Sequence, residues 1–299
     1  MNDKLYSIAI TDWHKLLYFF GYLKFMEVRI SGFPKYSDDL NEWSEKIIGA
    51  ISRHCDKDDT RINAFIEKML DHFNDEISII DDIKFIQDDE ITGMFAWLYI
   101  QQCKIRERAI MGGMEEIPLY KDLHLSSQSL NHHDRHDNIC DYFYSGYLSK
   151  KSKDSIIDSI WGTCYKVRNE IKPLHWLNEK NDEQCKWACD YILQKYEPKF
   201  IDVDRPDNTH ECYLLTLGLF FLMVATEHKS EWKLFLTDIN RAWSQKKHRA
   251  SKKEQSPLNT YLDKKTKDKM KVLCIKEGVS IQTMLSHLIT SEYDKIKGR

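Results

Sequence analysis

Apolar residues recur three and four positions apart along most of the chain, the spacing of one face of an α-helix. "WHKLLYFFGYLKFMEVRI" (13–30) is apolar nearly all round, which predicts a buried helix. "NEWSEKIIGAISRHC" (41–55) and "TRINAFIEKMLDHFNDEI" (60–77) carry an apolar stripe on one side only, as half-buried helices do. "DDEITGMFAWLYIQQCKIRERAIM" (88–111) starts acidic and ends basic, which suits the helix dipole and predicts a helix over its length. Residues 112–137 show no period and read as a long loop. Helical spacing resumes in "DSIIDSIWGTCYKVRNEI" and again in "DEQCKWACDYILQKY", where Asn181 or Asp182 can serve as the cap. A second loop, 197–211, leads into "YLLTLGLFFLMVAT" (213–226), which reads as a buried central helix. "SEWKLFLTDINRAWSQ" closes the body.

A different pattern follows. "KKHRASKKEQS" is basic and polar, and reads as a linker. It divides the chain into a helical domain of unknown function (1–243), a basic linker (244–256) and a terminal module (257–299). "PLNTYLD" alternates: Leu258, Thr260 and Leu262 face one way, Asn259 and Tyr261 the other, as in a strand. So short a strand needs a partner for its hydrogen bonds, and the same strand of a second copy would supply one in an isologous dimer. "KKTKDKMKVLCIKEG" then sets Thr266, Met270, Leu273 and Cys274 on one helix face, with lysines over much of the rest. Gly278 can stop that helix and Ser280 can cap the next, whose Ile281, Leu285, Leu288 and Ile289 form an apolar stripe.

Composition changes the picture in one respect. Of the 44 Lys+Arg and 47 Asp+Glu in 299 residues, 15 basic and 6 acidic ones fall in 241–299. The net charge of −3 therefore hides a basic end on an acidic body, and a basic end points to a polyanion. Hydrophobic residues make up 42% of the chain, enough for a substantial core. The eight cysteines follow no disulfide framework. The start, "MNDKLYSIAITDWHK", has no basic segment followed by an apolar one, and both strongly apolar runs are short for a membrane span. A cytoplasmic, nucleoid-associated protein is expected, with no membrane contact.

Strand, helix, Gly-Val-Ser turn, helix: the stretch from Pro257 onward resembles the ribbon-helix-helix superfamily of bacterial DNA-binding proteins (Arc, MetJ and CopG). "INRAWSQKKHRASKKEQS" together with the module is similar to the MatP family of chromosome-terminus organisers. The first resemblance implies a mainly α chain with a small C-terminal ribbon-helix-helix module. Its implied function is a dimer that binds double-stranded DNA through a β-ribbon in the major groove, as a transcriptional regulator or DNA-organising protein. Pro257, Asn259 and Tyr261 would lie on the ribbon's outward face. The backbone N–H groups of Ser280, Ile281 and Gln282 would hold a phosphate, and Arg249, Lys252 and Lys253 would add charge upstream. Leu258, Thr260, Leu262, Met270, Leu273, Leu285 and Ile289 would form the dimer core.

Candidate chemistry in the body is sparser. "NHHDRHDNIC" gathers His132, His133 and His136 with Asp134 and Asp137, which suits a transition metal or acid–base work, though a solvated cluster has the same composition. This motif carries the alternative reading, an enzyme or toxin-like effector with a DNA-binding or autoregulatory tail. Cys185 and Cys189, with His210 and Cys212, have ligand chemistry for zinc, but cysteines four apart on a helix also simply share a buried face. Arg106, Arg108 and Arg168 are candidate phosphate ligands and equally ordinary helix charges. No phosphate-binding glycine loop is present. The first reading is binding rather than catalysis, with enzymatic activity of the body left open. No cofactor is expected, and the helical domain is left as a possible site for a protein partner.

Overall fold

The protein is mainly α-helical. Its structure, a computed structural model, describes residues 8, 10–76, 79–108, 114–128, 131–171, 173–198, 201, 203–251 and 261–298. The chain divides into two compact units, Met1–Ala242 and Trp243–Arg299.

In the first unit, α1 (Trp13–Phe25) is capped by Asp12, whose carboxylate accepts from the Lys15 N–H at 2.9 Å. It is buried from Leu16 to Leu23, as an all-apolar helix must be. α2 (Leu40–His54) and α3 (Asp59–Glu76) each turn one stripe inward. Trp43, Ile47 and Ile51 from α2 meet Ile62, Ile66 and Met69 from α3 in one core with α1.

The larger core is built on α5 (Glu90–Gln102) and α10 (Thr209–Thr226). Gly218 lets these two helices touch: a Cβ there would lie 2.5 Å from Met94 Cγ. Around them lie α4 (Ile79–Gln87), α6 (Leu119–Asp122), α7 (His132–Tyr144), α8 (Lys150–Lys166), α9 (Asp182–Lys195) and the start of α11 (Lys229–Ser251). A single π-helical turn, Val167–Ile171, extends α8. By length and composition α10 is apolar enough to cross a membrane, but 72% of it is buried inside the protein. It is the central core helix that its apolar run predicts.

Three sequence expectations need correction. The helix expected over 88–111 ends at Gln102. Its basic end forms strand β1 (Lys104–Arg108), antiparallel to β2 (Met114–Pro118), with Lys104 opposite Pro118 and Arg108 opposite Met114. An Arg-Glu alternation suits a strand as well as a helix dipole, and here the strand wins. The loop expected over 112–137 contains β2, α6 and the first turns of α7. Asn131 starts α7, its side chain accepting from the Asp134 N–H at 2.9 Å. The basic linker expected over 244–256 begins as helix, because α11 runs on to Ser251.

The second unit holds the end of α11, then α12 (Lys264–Glu277) and α13 (Ile281–Lys297). Asp263 caps α12 through the Thr266 N–H at 3.0 Å. Gly278 ends it at φ +65°, a left-handed conformation that glycine adopts without strain. Ser280 caps α13 through the Thr283 N–H at 3.1 Å. Among the described residues of this unit there is no β-strand: Tyr261–Asp263 join no strand ladder and run directly into α12. A ribbon is defined by its inter-strand ladder, and none is formed there. Pro257, Leu258, Asn259 and Thr260 lie outside the described residues.

Candidate nucleic-acid interface

The second unit buries very little. Met270 is the one buried residue of α12 and Met284 the one buried residue of α13. Lys264, Lys265, Lys269, Lys271 and Lys276 occupy the outward side of α12, all exposed. Lys265, Lys269 and Lys276 fall at i, i+4 and i+11, so they run as one row along the helix. Asp268 is the single carboxylate between them. Lys265, Lys269 and Val272 line a shallow surface groove. Lys247 and Arg249, on the last turns of α11, are exposed as well.

The start of α13 offers a second feature. Its first turn carries no acidic residue, and Ser280, Ile281 and Gln282 are exposed. The Ser280 hydroxyl is engaged with the Thr283 N–H and, at 2.8 Å, with Thr283 Oγ1. That leaves the leading N–H groups of the helix, with their positive dipole end, facing outward.

The expected dimer residues are divided. Leu258 and Thr260, like Lys252, Lys253, Pro257 and Asn259 of the DNA set, lie outside the described residues. Tyr261 is fully exposed; Leu262, Leu273 and Ile289 are exposed, Leu285 half-buried and Met270 buried. Sequence reasoning missed Val272, Ile275, Tyr293 and Ile296, which are exposed too. The signal was present: Ile289, Tyr293 and Ile296 continue the α13 stripe at spacings of four and three.

In the first unit, the histidine motif is helical rather than looped. His132 Nε2 lies 2.8 Å from the Gln87 carbonyl, and His133 is exposed beside Asp137 at 3.7 Å. His136 packs against the Cys140 thiol at 3.7 Å, and burial lowers its pKa. His132 and His136 share a helix face, yet no group of three or more His, Cys, Asp or Glu among the described residues is arranged to hold a metal. Cys185 and Cys212 each donate to a backbone carbonyl, of Asn178 and Pro206, at 3.2 Å. Burial raises the pKa of Cys185, Cys189 and Cys212, which favours thiols over the thiolates zinc requires. Arg168 is taken by Asp89 and by Thr92 Oγ1 at 2.8 Å. One buried ion pair in the body was missed by sequence reasoning. Arg135, fully buried, bonds Glu211 through two nitrogens, at 2.7 and 3.2 Å.

No family model, curated protein or solved structure matches the chain at a significant level. With no strand in the described part of the module and no family match, the resemblances to the ribbon-helix-helix superfamily and to the MatP family do not hold. The pattern that suggested them, a capped helix pair behind a basic segment, is real but is not specific to those folds.

Proposed function

We propose that the chain binds duplex DNA as a dimer, through the basic helical unit at its C-terminal end. The observation that carries this reading is the row Lys265, Lys269 and Lys276 on an exposed helix face that is nearly free of carboxylates. Such a face is suited to the sugar-phosphate backbone, which any sequence presents. The open amides at the start of α13 suit one further phosphate. The exposed apolar stripe of α13 supports pairing with a second copy, because two buried methionines are a small core for a helix pair. The action is binding: lysines neutralise phosphates and release counterions.

The test is fluorescence anisotropy of a labelled duplex titrated with the full chain at several salt concentrations. Affinity should fall steeply with salt, by about 0.9 log units per log unit of salt for each phosphate neutralised. The K265A/K269A/K276A variant should weaken binding and flatten that slope by about three units. Equal affinity and slope in the variant, or no binding at low salt, would refute the reading.

A further inference from the structure

We propose that Cys189 and Cys212 form a peroxide-reactive dithiol: a hydroperoxide oxidises Cys212, and Cys189 then closes a disulfide that ties α9 to α10.

The packing of the two helices brings the thiols together. α9 and α10 lie side by side and run the same way. The Thr209 hydroxyl donates to Asp182, so their starts meet, and Tyr196 and Thr226 share a hydrogen bond at 3.2 Å where they end. Cys212 is the fourth residue of α10, level with the first turns of α9, which carry Cys185 and Cys189. Arg205, in the segment before α10, pairs at 3.0 Å with Asp190, the neighbour of Cys189. The Cys212 thiol donates to the Pro206 carbonyl of that same segment at 3.2 Å. The Cys189 thiol in turn donates to the Cys212 sulfur. Cys185 is turned to the Asn178 carbonyl at 3.2 Å, which leaves Cys189 as the partner of Cys212. Two thiols in contact on packed helices can be bridged with little backbone movement.

Their surroundings assign them different roles. Both are buried, and burial raises both pKa values. At Cys212 the Cys189 thiol and the Arg205 guanidinium oppose that rise, whereas at Cys189 the contact with Cys212 adds to it. Cys212 is therefore the thiol that ionises first and attacks. Its sulfur bonds to one peroxide oxygen as the O–O bond breaks, and the thiol proton leaves with the other oxygen, as water when the oxidant is hydrogen peroxide. The product is a sulfenic acid. Cys189 then attacks that sulfur: the S–S bond forms, the S–O bond breaks, and the departing hydroxyl carries off the Cys189 proton as a second water. A path for the oxidant lies close by. Arg205, Pro206 and Glu211 line a surface cavity of about 370 Å³, and Cys212 follows Glu211 in the chain and is bonded to Pro206 behind that wall. Hydrogen peroxide is little larger than water, so a local opening of the segment before α10 admits it.

The test is hydrogen peroxide treatment of the full chain, reduced beforehand, followed by blocking of the free thiols and peptide mapping. A peptide linking Cys189 to Cys212 should appear, and dithiothreitol should remove it. With dimedone present to trap sulfenic acids, C189A should carry the adduct on Cys212, and C212A should carry none on Cys189. R205A should form the link severalfold more slowly. The wild-type arm needs no variant, so it decides the matter even where a substitution disturbs folding. Absence of the linked peptide overturns the proposal, as does a link from either thiol to Cys185. An adduct on Cys189 in C212A would overturn the assignment of roles.

Discussion

Replacing Leu288 and Ile289 by lysine should hold the chain monomeric. On the α13 stripe, Ile281 is 48% exposed, Leu288 41%, Ile289 58% and Ile296 74%. Together they leave about two whole aliphatic side chains in water per chain, hence about four per two-fold pair, worth roughly 6–12 kcal/mol if fully covered. Association costs about 4–15 kcal/mol in lost freedom. At its most favourable the balance is about 8 kcal/mol, which corresponds to a micromolar Kd. The stripe alone therefore supports a dimer no tighter than micromolar, and one that depends on concentration. The two lysines remove about half of that area and place four like charges in the contact, so affinity should fall by at least about 100-fold. Sedimentation equilibrium on the full chain, from about 1 to about 200 μM, reads this directly. The wild type should climb from 35.6 kDa toward twice that mass, and the variant should not. Identical mass distributions for the two proteins would defeat the argument.

Two further outcomes concern the first unit. Glu211→Gln leaves the Arg135 guanidinium buried beside a neutral amide. It should cost about 3–5 kcal/mol and lower the melting temperature by roughly 6–20 °C, with the Arg135→Met/Glu211→Met pair recovering most of the loss. A single-variant cost below about 1 kcal/mol in thermal denaturation would contradict it. Asp89 gives a pH dependence: burial pushes its carboxyl up, but hydrogen bonds from Thr92 and the Arg168 guanidinium outweigh that and leave it below its usual value. A carboxyl lowered on folding adds stability that is complete above its unfolded value, about pH 4, and is lost as pH falls through the folded one. Asp89→Asn should therefore lower stability at neutral pH and flatten its acid decline, as read by urea unfolding at several pH values. An acid decline equal to that of the wild type would rule this out.

Much of the helical plan was legible because caps and stops are local. Ser280 caps α13 and Gly278 ends α12, as their spacing predicted, and of the two candidate caps for α9 it is Asn181 that serves. α10 was legible because a helix apolar on every side must be buried. The start of α7 was not, because its inward face includes Arg135, and a buried charge breaks the apolar period that marks a helix. Its partner Glu211 lies 76 residues away, a distance at which a single sequence shows no pairing. The β1–β2 hairpin was hidden for a different reason: its charges alternate in a way that satisfies either backbone.

The buried pair also bears on the order of assembly. Arg135 sits in α7, and its counter-charge arrives only with α10, near the end of the first unit. Until Glu211 is in place, closing α7 onto the core would strand a cation away from water. A growing chain that ends before residue 211 therefore has reason to keep α7 hydrated. Docking of α10 is the event that lets the centre dehydrate, which ties segments distant in sequence into one all-or-none step.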